Sequence, residues 1–221
     1  MDSLQAVTEE VISCVKCARL VEWREQVAKE KRAAYRNWEY WGRPVPGFGD
    51  PAAKILVVGL APAAHGGNRT GRIFTGDRSG DWLYGALYRA GLANQPESVS
   101  RDDGLQLRGA YVTAAVRCAP PANKPNPDER TNCLPYLARE ITLLSDLRVF
   151  VALGGYALQA IADLLGIRPR PAFGHGVEIA LADGRFIVGS YHPSQQNTFT
   201  GKLTRPMFDA VFARAVELAG I

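Results

Sequence analysis

Lys54-Ile55-Leu56-Val57-Val58-Gly59, followed at once by Leu60-Ala61-Pro62-Ala63-Ala64-His65-Gly66-Gly67-Asn68-Arg69-Thr70-Gly71-Arg72-Ile73-Phe74-Thr75-Gly76-Asp77, decides the fold class of this chain. The Ile-Leu-Val-Val run is apolar at every position and lacks the alternation of a strand with one wet face. It reads as a strand buried on both faces, as in a parallel sheet covered by helices on two sides. The loop that follows holds too many glycines for a mere connection, and bare backbone can approach a ligand closely there. A helix from about Gly80 to Arg89 completes the unit.

The same alternation recurs downstream. Ala110 to Val116 reads as a strand, Pro127 to Leu144 as a helix opened by Asn126 and Pro127, Val149 to Leu153 as a strand, and Tyr156 to Leu165 as a helix. Val177 to Leu181 and Phe186 to Tyr191 flank the turn Ala182-Asp183-Gly184-Arg185 as a hairpin, and an amphipathic helix runs from about Arg205 to Leu218. Upstream, Thr8 to Trp41 carries helical signals, and the breaker-rich Gly42 to Pro51 reads as loop. The expected architecture is a single α/β domain over residues 1–221 with a mostly parallel sheet, its first fifty residues forming an N-terminal helical extension.

Three loops rich in Gly, Pro, Asn and His follow strands directly: Leu60 to Asp77, Ala119 to Asn126, and His192 to Thr204. In a parallel sheet the carboxyl ends of the strands share one edge, so these loops should converge on one crevice, where open α/β sheets bind ligands. The first loop is no Walker loop, since no Gly-Lys-Ser/Thr follows, and Gly-x-Gly-x-x-Gly is absent too. In the third, His192 sits at a strand end beside Pro193 and precedes a run of hydrogen-bonding side chains suited to phosphate oxygens or base edges.

The chain has four cysteines: Cys14 and Cys17 in a C-x2-C pair, Cys118 and Cys133 in a C-x14-C pair. Their neighbours are polar and charged, which suits thiolate ligands better than core filling. A [4Fe-4S] cluster tolerates such mixed spacing and is the leading reading. A structural zinc, two disulfides and four unrelated buried thiols are the alternatives. Among 221 residues, 47% are hydrophobic and 22% charged, enough for a real core, and the net charge of +4 permits a polyanionic partner without demanding one. No apolar run approaches the ~18 residues of a membrane span, and Met1-Asp2-Ser3-Leu4-Gln5 has no basic start or apolar segment. A cytoplasmic, nucleoid-associated, monomeric protein without membrane contact is expected.

Gly59-Leu60-Ala61-Pro62-Ala63 with Gly66-Gly67-Asn68-Arg69-Thr70-Gly71-Arg72 and Phe74-Thr75-Gly76-Asp77 resembles motif 1 of the family 5 (type b) uracil-DNA glycosylases. His192-Pro193-Ser194 is similar to their motif 2, Arg117 to Pro125 to another of their segments, and the cysteine pattern to the iron–sulfur ligands of families 4 and 5. The resemblance covers nearly the whole chain. It implies a central four-stranded, mostly parallel sheet flanked by helices, a structural [4Fe-4S] cluster on Cys14, Cys17, Cys118 and Cys133, and excision of a deaminated base flipped out of double-stranded DNA. By analogy, His192 would donate a hydrogen bond to the base, Phe74 would stack on it, and Asp77 would position water or stabilise the sugar cation. The plainer reading of Asp77 is a helix cap.

Two departures stand out, the first bearing on how water is held and the second on specificity. Ala61, Ala63 and Ala64 stand where many uracil glycosylases place Asp or Asn, and Ala114 stands where family 4 carries the asparagine that reads uracil. Asn123 would substitute in part, and a roomier pocket would admit hypoxanthine. Asn197, with Gln196 and Phe199, would enter the minor groove, and Arg69, Arg72, Lys124 and Lys202 would contact phosphates. A damage-binding iron–sulfur protein without glycosylase activity and a nucleotide-metabolising hydrolase are the rival readings.

Overall fold

The computed structural model describes residues 2–221. Its helices are α1 (Leu4–Ile12), α2 (Ala18–Glu30), α3 (Gly67–Thr70), α4 (Arg78–Arg89), α5 (Pro127–Leu143), α6 (Gly155–Leu164), α7 (Gln195–Phe199) and α8 (Arg205–Ala219). The strands are β1 (Phe48–Gly49), β2 (Ile55–Gly59), β3 (Ala110–Ala114), β4 (Val149–Leu153), β5 (Glu178–Ala180) and β6 (Phe186–Ser190). They form one sheet of order β1-β3-β2-β4-β6-β5.

The sheet has six strands where four were expected. Its central four, β3-β2-β4-β6, are parallel, and β1 and β5 add antiparallel edges. The β5–β6 hairpin was legible. β1 is two residues long and sits in the breaker-rich stretch read as loop, too short to show any periodicity.

The continuous apolar runs are explained by burial on both faces. Ile55, Val57, Val112 and Val151 pack with Leu83 and Leu87 of α4 and Phe208 and Phe212 of α8. Leu56, Val58, Phe150 and Ala152 face the other way, onto Leu137 of α5 and Leu158 and Ile161 of α6. Register carries the consequence for function. Ile55 pairs Ala110 and Val149, and Val149 pairs Phe186, so the four parallel strands finish together at Gly59, Ala114, Leu153 and Ser190. The three unusual loops therefore leave from one sheet edge.

The N-terminal segment is less separate than an extension. Its helical stretch breaks into α1 and α2 around Cys14 and Cys17, and α1 packs on α5. Trp41, Val45 and Phe48 join the main core. A buried ion pair locks the wall between β3 and α5: Arg117 Nη1 and Nη2 donate to the two carboxylate oxygens of Glu140 at 3.0 and 2.6 Å, and Thr113 Oγ1 donates at 2.8 Å. No helix among the described residues is long and apolar enough to cross a membrane.

Candidate active site

The loops after β2, β3 and β6 enclose a cavity of about 760 Å³, lined by Ala61, Ala63, Ala64, Phe74, Asp77, Asn123, His192, Gln196 and others. Phe74 adopts the left-handed region, φ 52°, which a bulky side chain rarely enters and which orients the ring across the pocket. Its ring is held between two partners. A Cβ at Gly59 would lie 2.6 Å from Phe74 Cζ, so only glycine fits behind it, and the His192 ring stands 5.7 Å away, centre to centre, tilted by 31°.

Asp77 fulfils both of its readings. Oδ1 caps α4 by accepting the Gly80 N–H at 3.1 Å. Oδ2 packs against Gly66, where a Cβ would overlap it. Burial raises the carboxyl pKa above its ordinary value, opposed chiefly by the backbone N–H groups of Gly80 and Ser79. Burial disfavours the ionised carboxylate, so the charge it carries when ionised at the cavity wall is poorly solvated and its basicity is increased.

His192 is held at the end of β6 by its own loop: its carbonyl accepts Asn197 Nδ2 at 2.9 Å. Desolvation lowers the imidazole pKa to about 4. At neutral pH His192 is therefore uncharged, with one N–H able to donate towards a ligand.

Asn123 lines the cavity from an exposed turn in which Ala122 and Asn123 both have positive φ, 51° and 55°. Four other assignments change. Ala114 is a core residue of β3, off the cavity lining, so pocket width is set by Ala61, Ala63 and Ala64 instead. Arg69 is buried: its guanidinium stacks on Tyr35 and Trp38, 3.9 and 4.2 Å from the ring centres, and donates at 2.8 Å to the carbonyls of His65 and Gly76. It braces the first loop and leaves no face for a phosphate. Arg72 is likewise buried, paired with Asp103 at 2.6 Å and with Ser98 at 2.7 Å. Asn197 spends its amide on His192. The exposed groups beside it are Gln196 and Phe199, the latter 68% exposed with Arg78 over its ring, while Lys202 lies over Tyr191. Trp23, Arg32, Tyr35 and His65 also line the cavity and were not singled out. The first three lie in the Thr8 to Trp41 stretch, whose sequence carried only helical signals, and no local pattern announces them.

Cys14, Cys17, Cys118 and Cys133 line a second, small cavity between α2, α5 and the loop after β3, and all four are free thiols. Arg24 Nη1 donates to Cys118 Sγ at 3.1 Å and Asn132 Nδ2 to Cys17 Sγ at 3.5 Å. As placed, no three His, Cys, Asp or Glu side chains among the described residues gather around a single metal ion. The donor set still fits a larger thiolate-bound cluster: buried arginines have unpartnered Nε atoms at Arg24 and Arg117 on the cavity lining, and cations there offset thiolate charge. Burial pushes the Cys118 thiol up to about 12, so ligand formation would require a metal to displace the proton.

The loops at the carboxyl edge of this parallel sheet thus bring Phe74, His192 and Asp77 onto one cavity. The sequence profile of the uracil DNA glycosylase superfamily matches residues 46–216, and the chain belongs to that superfamily. Within it the chain stands with the type-5 branch. It is 56% identical to the type-5 uracil-DNA glycosylase of Mycobacterium tuberculosis over 94% of this chain and 79% of that one. It is 53% identical to the type-5 uracil-DNA glycosylase of Thermus thermophilus over 98% and 99%. A type-4 uracil-DNA glycosylase of Sulfurisphaera tokodaii is 32% identical over 75% of this chain and 61% of its own length.

Proposed function

We propose that this protein is a DNA repair glycosylase that hydrolyses the N-glycosidic bond of uracil in double-stranded DNA and leaves an abasic site. The observation that carries the proposal is the convergence of Phe74, His192 and Asp77 on one cavity. Breaking this bond generates a cationic sugar and an anionic departing base, so the site must stabilise charge on both. The flipped base stacks on Phe74, worth roughly 1–3 kcal/mol. Neutral His192 donates its N–H to the base carbonyl where negative charge develops. Asp77, with one oxygen committed to α4, uses the other to hold water for C1′ or to face the sugar cation.

The methyl groups of Ala61, Ala63 and Ala64 exclude nothing by hydrogen bonding. Hypoxanthine and other deaminated bases are therefore substrates as well, with Asn123 as the adaptable contact. Phe199 and Gln196 on α7 face the minor groove, and Lys124 and Lys202 meet phosphates, so binding weakens with salt while the cleavage step does not. Cys14, Cys17, Cys118 and Cys133 would hold a [4Fe-4S] cluster whose iron–thiolate bonds tie α2 to the wall carrying Asn123. Its role is structural, and the protein acts as a monomer on nucleoid DNA.

The test is alkali cleavage of duplex oligonucleotides carrying uracil or hypoxanthine after incubation with the protein. Cleavage at both bases is expected. Strict uracil preference would refute the broad specificity, and a mobility shift without cleavage would make the protein a damage binder.

A further inference from the structure

The cavity has a second histidine, in the loop after β2 against the N-terminal segment, with no part in the mechanism above. His65 Nδ1 lies 3.1 Å from the Tyr40 hydroxyl, which itself receives the Arg32 backbone N–H at 3.4 Å. In the tautomer whose Nδ1 accepts the Tyr40 hydroxyl proton, the ring proton resides on Nε2. Tyr40 is buried and off the cavity lining, whereas His65 lines it. Desolvation and the positive charges of Arg32 and Arg69 disfavour a second proton on the ring. Arg32 lines the same wall with its guanidinium exposed, and no carboxylate pairs with it among the described residues. The cavity lining thus carries a neutral imidazole and an unpaired cation, and Asp77 pairs with neither.

We infer that His65 Nε2 and the Arg32 guanidinium form a subsite for a phosphodiester oxygen flanking the flipped nucleotide. The chemistry selects an anion with several acceptor oxygens: arginine supplies charge and a planar fork, and the neutral imidazole supplies an N–H donor that needs no further protonation. Arg69 and Arg72 are buried in the first loop, and of the two arginines on the cavity lining Arg78 is engaged with Phe199 and Thr198, which leaves Arg32 as the unengaged one. This subsite rests on the glycosylase reading.

The experiment uses duplexes with a single 2′-fluorodeoxyuridine, whose fluorine slows cleavage so that Kd can be read. The phosphate immediately 5′ or 3′ of it is replaced by neutral methylphosphonate. On unmodified backbone, His65→Ala and Arg32→Ala should each weaken binding by about tenfold, the worth of one charge-assisted hydrogen bond. His65→Gln, which keeps an N–H, should recover most of that loss. At one of the two linkages methylphosphonate should weaken the wild type by a similar factor and add little to either variant. Full additivity at both linkages, or unchanged Kd in both variants, would overturn the subsite. Excision by the wild type on ordinary uracil DNA is measured alongside: its absence overturns the glycosylase reading, whereas intact excision with additive effects overturns only the phosphate contact.

Discussion

Gly59→Ala tests whether the Phe74 ring is fixed as a base platform. The added Cβ would lie 2.6 Å from Phe74 Cζ and 2.7 Å from Cε2. Carbon atoms rest at about 3.5–4.0 Å, so the ring must retreat by about 1 Å. The backbone of Phe74 is poorly placed to follow, because its φ of 52° is already strained and its carbonyl packs against Gly80 with no room for a side chain there. The ring therefore moves into the cavity towards His192. Overpacking of this kind costs about 1–3 kcal/mol of stability, and a misplacement of about 1 Å at a reacting site costs on the order of 100-fold in rate. Thermal melting and single-turnover excision of uracil from duplex DNA read the two effects separately. A folded, destabilised variant that excises at the wild-type rate would refute the platform role of Phe74.

Three further outcomes follow from the same geometry. Asp77→Asn keeps an N-cap and removes a buried charge; because folding raises the carboxyl pKa, it should leave the melting temperature at pH 7 equal or higher while excision collapses, and parallel melting and rate assays check both. Between pH about 6.5 and about 4 the folded protein binds fewer protons on His192 than the unfolded chain, so stability falls as pH is lowered across that window. His192→Gln should flatten this part of the curve in urea titrations. Glu140→Gln leaves Arg117 buried without its full partner and should cost about 3–5 kcal/mol by denaturant melting.

The β2 run and the loops at the strand ends were readable because both follow from local rules: an unbroken apolar strand implies two covered faces, and parallel strands bring their carboxyl ends together. The helix starts at Pro127 and Arg205 were equally local. What escaped was decided by tertiary burial. Arg69 and Arg72 look like surface charges in sequence, and only stacking on Tyr35 and Trp38, or pairing with Asp103, turns them inward. Ala114 belongs to the core because β3 directs it there, which a position in a motif does not reveal. The wall of Trp23, Arg32 and Tyr35 has no periodic signal, since those residues meet the cavity only after α2 docks beside α3.

The central claim is that the Phe74–His192–Asp77 cavity cleaves a glycosidic bond. Its most direct test is quantification of free uracil released from duplex DNA in a single turnover, by wild type and by Asp77→Asn. One uracil per abasic site from the wild type, with Asp77→Asn binding the duplex but releasing at least ~100-fold more slowly, is the predicted result; equal release by both proteins, or none by the wild type, would contradict it.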